Sequence, residues 1–361
     1  MSHALTRLAR TALLAAGLSI FTTPDGTVWS QTTTTEIKFG FWNVENLFDA
    51  DDDPNNPGDD EFLPATEWDA ARYGRKLEHL AEVVAGLDAH VLGFAEVENR
   101  RVLEDLVRQE PLRKLEYQIA HLDSPDKRGI DVALIYRAPL QPLAAEFVEL
   151  HRIPIDPPTR GVLEVRLSAN GHPLHVLVNH WPSRRGGSDS TEPLRFEAAR
   201  ACQAIVKRIV DATPGRDADV LLIGDFNDDP YDPSIAQHLN AVRSRNAVLN
   251  REQEGRYRLF NASWKFFGQP DVGTLYYNQE WTWNIFDQCI MSRGLLRADG
   301  FEYVDDSLSV YALAKLRDQY GRPLRFRKSG KAWNEGYSDH LAIHGKLRVA
   351  APTTKDASDS K

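Results

Sequence analysis

The sequence predicts an α/β protein in which two stacked β-sheets carry helices on their outer faces. Three observations predict it. Apolar runs of strand length recur along the chain and stop at polar residues. In the first half these runs alternate with amphipathic helical stripes, and further strand pairs follow in the second half. No fixed-period repeat and no linker interrupts residues 36–348, so one domain is expected there. In such a sandwich the polar strand ends collect along one edge.

The elements follow in order. Residues 1–30 read as a secretion signal: Arg7 and Arg10 precede the apolar stretch Thr11 to Phe21, and Val28-Trp29-Ser30 offers a cleavage point. The stretch is too short to span a bilayer, so export to a periplasm or beyond is expected, with no stable membrane span. Glu36 to Phe41 alternates apolar and polar residues as a strand does, then meets Trp42-Asn43-Val44-Glu45-Asn46. Asn43 and Glu45, two apart, share one face. Asp49 to Glu61 is acidic and holds Pro and Gly. Its Asp49, Asp51 and Asp53 have calcium-loop spacing, but Pro54 stands where that turn needs Gly, and a solvated loop is expected. Glu67 to Leu87 has helical spacing, with Tyr73, Leu77, Leu80, Val84 and Leu87 as a core stripe.

The strand His90 to Phe94 ends in Ala95-Glu96-Val97-Glu98-Asn99, and Arg101 to Arg108 reads as a helix. Strands are expected at Ile130 to Tyr136, Gly161 to Leu167 and Leu174 to Val178, the last leading into Asn179-His180-Trp181-Pro182. Pro193 to Ala212 is an amphipathic helix. The apolar run Leu221-Leu222-Ile223 stops at Gly224 and delivers Asp225 and Asn227 to one face. Trp281 to Ile290 passes through Asp287-Gln288, and Ser338-Asp339-His340 leads into a last strand, Leu341 to Leu347. Residues 349–361 are small and polar, and disorder is expected.

Composition narrows the function. Hydrophobic content of 42% and charged content of 26% are those of a soluble globular protein. A net charge of -9 argues against a basic protein that coats nucleic acid; a polyanionic substrate would have to be drawn by a local basic patch or a bound cation. Cys202 and Cys289 allow at most one bridge, and buried free thiols are expected.

The strand ends assemble Asn43, Glu45, Glu96, Asn179, His180, Asp225, Asn227, Asp287, Asp339 and His340. Carboxylates with an amide oxygen and no Cys suit magnesium, manganese or calcium. Imidazoles beside them suit proton transfer or stabilisation of charge growing on a phosphoryl group. In sequence order, Asn43-Val44-Glu45, Ala95-Glu96-Val97, Val178-Asn179-His180-Trp181, Gly224-Asp225-Phe226-Asn227, Phe286-Asp287-Gln288 and Ser338-Asp339-His340 resemble the motif set of the endonuclease/exonuclease/phosphatase superfamily. The resemblance covers Ile37 to Leu347. It implies a four-layer α/β/β/α sandwich of two mixed sheets and divalent-metal hydrolysis of phosphoesters, with Mg2+, Mn2+ or Ca2+ as cofactor.

Carried over by position, the resemblance makes Glu96 the principal metal ligand, with Asn43, Glu45 and Asp339 close to the metal or its waters. Asp225 orients or deprotonates the attacking water, and Asn227 holds that water or a phosphate oxygen. His340 pairs with Asp287, and His180 donates to a non-bridging phosphate oxygen; families of the superfamily differ over whether the residue at Asp225 or the one at His340 is the working base. Many members have Gln where this chain has Ala95. The group supporting His180 is not clearly placed; Arg128 and Asp131 are candidates.

For substrate, Arg184 and Arg185 follow the His180 strand and could grip flanking phosphates, beside Asn179. Residues 263–283 are rich in rings that could stack bases or pack in the core; Gly268-Gln269-Pro270-Asp271, read as the tip of a hairpin, carries none, which weakens a membrane role. The leading expectation is a nuclease acting on nucleic acid. A phosphatase or sphingomyelinase-like hydrolase, or a non-catalytic binding protein on the same fold, are the alternatives. No obligate protein partner is inferred.

Overall fold

The computed structural model describes residues 34–54, 56–213, 217–250 and 257–351, together with the backbone of residues 20–22 and 28–30, which pair as two short strands. Apart from that pairing, the signal expected over residues 1–30 lies outside the described residues, as does the tail beyond residue 351.

Two mixed sheets form the centre. Along the first run Phe301–Tyr303, Ile343–Val349, Thr35–Leu47, Val91–Val97, Asp131–Tyr136 and Gln118–His121, with Ser309–Val310 also pairing to the Ile343–Val349 strand. Along the second run Ala241–Val242, Leu259–Asn261, Asp287–Met291, Val220–Asp225, His172–His180, Val162–Ala169 and Gln141–Pro142, with Val148–His151 also on the Val162–Ala169 strand. Thr35–Leu47 is parallel to Val91–Val97, and His172–His180 is parallel to Val220–Asp225. The last strand continues through Val349, which pairs with Thr35 and Phe301.

Strand alternation assigns each side chain to a layer. Phe39, Phe41, Val91, Val176, Val178, Leu221 and Ile223 point between the sheets. Their neighbours Trp42, Leu92 and Phe94 face the opposite way, onto Leu77, Leu80 and Val84 of the helix Ala70–Leu87. Leu177, Val220 and Leu222 likewise face Ala199, Cys202 and Val206 of the helix Ser188–Asp211. Three apolar layers thus separate four layers of structure, the α/β/β/α sandwich expected from the resemblance. Cys202 and Cys289 are buried free thiols. Among the described residues no helix is long and apolar enough to cross a membrane.

Two local expectations change. The acidic loop is not simply solvated, because Asp49 and Asp59 are buried. The aromatic segment folds as a hairpin of Leu275–Tyr277 with Thr282–Asn284, so its tip is residues 278–281 rather than 268–271, and Trp281 there is 76% exposed.

Glu164 is a buried charge in the outer face of the second sheet. It accepts hydrogen bonds from His151 Nε2 and His175 Nδ1, each 2.8 Å away, and from Arg208. Burial alone would raise its pKa, but these bonds and the Arg208 charge hold the carboxyl far below its ordinary range. A depressed carboxylate stabilises the fold above its unfolded pKa of about 4.3, and that stabilisation is lost as pH falls toward the folded value. Glu164→Gln should therefore cost about 2 kcal/mol at pH 7, and the gap from wild type should close as urea denaturation is repeated below about pH 4.

Candidate active site

Register lines up the first three groups. His180 is opposite Asp225 in the parallel pair, and Asp225 is opposite Asp287 in the antiparallel one, so three adjacent strands of the second sheet end in a single row. Gly224 permits the close approach: a Cβ there would lie 2.4 Å from the Asn179 carbonyl oxygen. On the facing sheet, Thr35–Leu47 and Val91–Val97 break register between Asn43 and Leu47 and between Ala95 and Val97. Glu45 and Glu96 sit in these irregularities with φ of 51° and 64°, in the left-handed region. Bulges of this kind re-aim side chains, and strained backbone concentrates at functional sites.

The two edges are joined at Asp225. Its Oδ2 accepts from Asn43 Nδ2 at 3.0 Å across the sandwich, and its Oδ1 accepts from the Asn227 backbone N–H at 3.0 Å. Asn227 Nδ2 donates to the Trp181 carbonyl. His340 is oriented by Asp287, whose Oδ2 lies 2.7 Å from Nδ1, and its other nitrogen is 3.8 Å from Asp225 Oδ2. The His340 loop is fixed by Ser338 Oγ, which donates to the Asn43 carbonyl at 2.7 Å, and by Trp42 Nε1, which donates to the His340 carbonyl.

Burial pushes the Asp225 carboxyl up to about 6, even though the His340 charge opposes the rise. Burial would depress His340 too, but Asp287 and then Asp225 override it and hold the imidazole well above its ordinary value. His180 goes the other way: burial, then the charges of Arg160, Arg128 and His340, depress it well below its ordinary value. Its Nδ1 is buried without a hydrogen-bond partner among the described residues, while Nε2 lies 3.6 Å from Asp225 and 3.9 Å from Glu96. One imidazole is therefore charged and the other neutral, with the Nε2 of the neutral ring facing the cleft.

Several expected roles change. Asp131 does not support His180, because its two oxygens are taken by His121 Nε2 at 2.8 Å and the Ser124 N–H at 2.9 Å. Arg128 pairs with Asp126 at 3.6 Å, and its charge reaches His180. Asn179 is fully buried behind the row, accepting from Trp181 Nε1 and Cys202, so it positions the strand and cannot meet substrate. Arg184 is not free either. It donates to the Asn227 carbonyl, pairs with Asp228 at 2.9 Å and with Asp232, and lies over the Phe286 ring. Arg185 is exposed on the wall of the adjoining cleft.

Three groups are missing from the sequence reading. Arg160 is buried beside His180, donating to the Trp181 carbonyl and to Asp126. Lys76 is fully buried and donates to the carbonyls of Val44, Glu45 and Tyr337, and burial brings it down to about 8. Arg325 bridges Glu45 Oε1 at 2.5 Å and Asp339 Oδ2 at 2.8 Å, while the Phe326 N–H takes the second Glu45 oxygen. Burial, with the nearby Asp339 charge, pushes Glu45 up to about 7 despite Arg325.

The donors fit a hard divalent ion unevenly. Glu96 accepts no protein hydrogen bond among the described residues, and its carboxylate faces the row, 3.9 Å from His180 Nε2. Asn43 offers an amide oxygen that already accepts from the Glu45 N–H at 3.0 Å and keeps one lone pair, and Asp339 offers the carboxylate oxygen not paired with Arg325, all of the hard class that magnesium and manganese take. Glu45, expected among the ligands, has both oxygens engaged by Arg325 and Phe326, so it acts on the centre through Arg325.

The sequence model of the Endonuclease/Exonuclease/phosphatase family matches residues 38–348. The chain belongs to that family. Family members are metal-dependent phosphoester hydrolases, and so is this protein. Among solved structures it is similar to a humanized D. rerio TDP2, with 15% identity over 86% of this chain and 98% of that one and a TM-score of 0.53. A family protein from Bacteroides thetaiotaomicron has 17% identity over 88% of this chain and 99% of its own, with a TM-score of 0.53. The B. thetaiotaomicron mannosyl-6-phosphatase Bt3783 has 15% identity over 86% and 99%, with a TM-score of 0.51. At these identities the likeness speaks for the fold alone. No curated protein matches the chain.

Two tests follow from the charges. Asp287→Asn should lower activity about 100-fold and move the alkaline limb of the kcat/KM profile to lower pH, since His340 would lose its proton sooner. Arg184→Ala should lower Tm with little change in KM, because its charge serves Asp228 and Asp232; Arg185→Ala should raise KM with little change in Tm.

Proposed function

We propose that the protein is an exported, magnesium-dependent phosphodiesterase that cleaves nucleic acid. The observation that carries this reading is the two-sided groove around the row. On one side, a cleft of about 570 Å³ holds Arg185, Tyr277 and Phe286 and reaches the row at Asn227. On the other, a recess of about 190 Å³ holds Tyr276, Arg322, Arg325 and Arg327 and reaches it at Asp339. Basic and aromatic side chains on both flanks suit a polymer whose phosphates continue past the scissile one, and whose bases have rings to stack on. Against the overall negative charge, Arg185 on one flank and Arg327 on the other, neither paired with a carboxylate among the described residues, are the attraction available to a polyanion. Arg322 is held by Asp318, and Arg325 by Glu45 and Asp339.

The row supports in-line attack by water. Asp225, raised to about 6, holds and deprotonates the water, the Asn227 carboxamide beside it stays fixed by Trp181, and the new P–O bond forms as the ester P–O bond opposite breaks. Neutral His180 donates from Nε2 to a non-bridging oxygen. His340, kept charged by Asp287, faces the negative charge that grows during attack. A divalent ion held by Glu96, with Asp339 and Asn43 beside it, would supply Lewis-acid polarisation of the phosphoryl group.

The purified chain beginning near Gln31, supplied with Mg2+, should cleave plasmid DNA, RNA and a chromogenic diester at least about 100-fold faster than mannose 6-phosphate, inositol phosphates or sphingomyelin, and Asp225→Ala should abolish cleavage. Faster turnover of a monoester or of sphingomyelin would overturn the nuclease reading.

A further inference from the structure

The acidic loop between Leu47 and the helix Ala70–Leu87 contains an arrangement that the catalytic chemistry does not use. One carboxylate oxygen from each of Asp52, Asp59 and Asp60 lies within 4.8 Å of the others. Asp52 and Asp60 are exposed, whereas Asp59 is 2% exposed and its Oδ1 is buried with no hydrogen-bond partner among the described residues. Its other oxygen accepts from the Asp53 N–H at 2.8 Å. A buried carboxylate oxygen without a donor is costly, and a nearby cation is the ordinary remedy.

Among the described residues no basic side chain pairs with these three carboxylates. Arg101, the basic side chain against this loop, is taken by Asp51 at 2.5 Å and by Asp49 at 3.6 Å. Asp52, Asp59 and Asp60 have no ion pair among the described residues. Behind them Asp49 is itself buried, and its N–H binds Glu98 Oε2 at 2.9 Å, which adds further negative charge.

We propose that Asp52, Asp59 and Asp60 bind a calcium ion at a site separate from the catalytic centre. The ligands are all carboxylate oxygens, which excludes the softer metals that favour His and Cys. They stand on an irregular loop that leads into the short turn Asp60–Phe62, and such a loop suits the variable coordination of calcium better than the strict octahedron of magnesium. The ion would fasten a segment packed against the site's own strand. Phe62 stacks on Phe48 with ring centroids 4.2 Å apart and meets Trp68 edge-on, and Trp68 Nε1 donates to the Phe48 and Asp49 carbonyls just past Leu47. The site stands whether or not nucleic acid is the substrate.

The test uses Glu96→Ala as the background, so that the catalytic ion does not contribute. In it, millimolar CaCl2 should raise Tm by about 5 °C and calorimetry should count one ion, with MgCl2 giving a smaller rise. Asp59→Asn should raise Tm without calcium, since it removes an unpartnered charge, and should abolish the calcium increment. Asp52→Asn, at an exposed position, should also abolish the increment, and it carries the test if Asp59→Asn does not fold. No calcium-dependent shift in the Glu96→Ala chain would overturn the site. So would a shift that survives Asp52→Asn in every folded variant. Cleavage by the wild-type chain is read separately, so failure here leaves the catalytic assignment standing.

Discussion

The hydrogen bond from Asn43 to Asp225 is the contact on which the site depends. It joins the end of a strand in one sheet to the end of a strand in the other, at 3.0 Å. For that bond to form, both sheets must stop at the same height, and each must present the right residue inward. The second sheet does this through register, with His180, Asp225 and Asp287 side by side. The first does it through irregularity, with Glu45 and Glu96 placed by breaks in pairing. One edge is regular and the other distorted, and the distorted edge adds Glu96, whose carboxylate faces the row.

Around Asp225, like chemistry is kept in unlike states. Two buried imidazoles flank one buried carboxylate, and only one has a carboxylate of its own behind it. Asp287 keeps His340 charged, while Arg160 and burial keep His180 neutral. If both rings were charged, Asp225 would be held firmly ionised and would be a weak base. With one neutral, its proton affinity rises toward that needed to accept a proton from water.

The layered fold and the row of strand ends were legible in the sequence because both follow from local pattern. Alternation marks which face is buried, and an apolar run that stops at Gly224-Asp225 marks where a strand presents its chemistry. What was not legible depends on pairing over long separations. Arg325 reaches Glu45 across 280 residues, and no local signal announces that bond. Arg184 looked available because it follows His180, yet Asp228 and Asp232, reached only in the fold, consume its charge. Asp131 is a candidate support for His180 by sequence for the same reason, and the partner that takes it, His121 on the neighbouring strand, is reached only in the fold. Lys76 is the intermediate case: a charged residue inside the apolar stripe of a helix is visible in the sequence, but the three carbonyls that hold it are not.

The loop that delivers His340 is closed onto the first strand by Trp42, 298 residues away in the chain, and by Ser338, 295 residues from Asn43. Contacts of such high order are late events in folding, because the loop they close must be ordered before they yield anything. A partly folded molecule can therefore hold most of its core and still have no competent centre. Hydrolysis thus reports on completion of the whole topology.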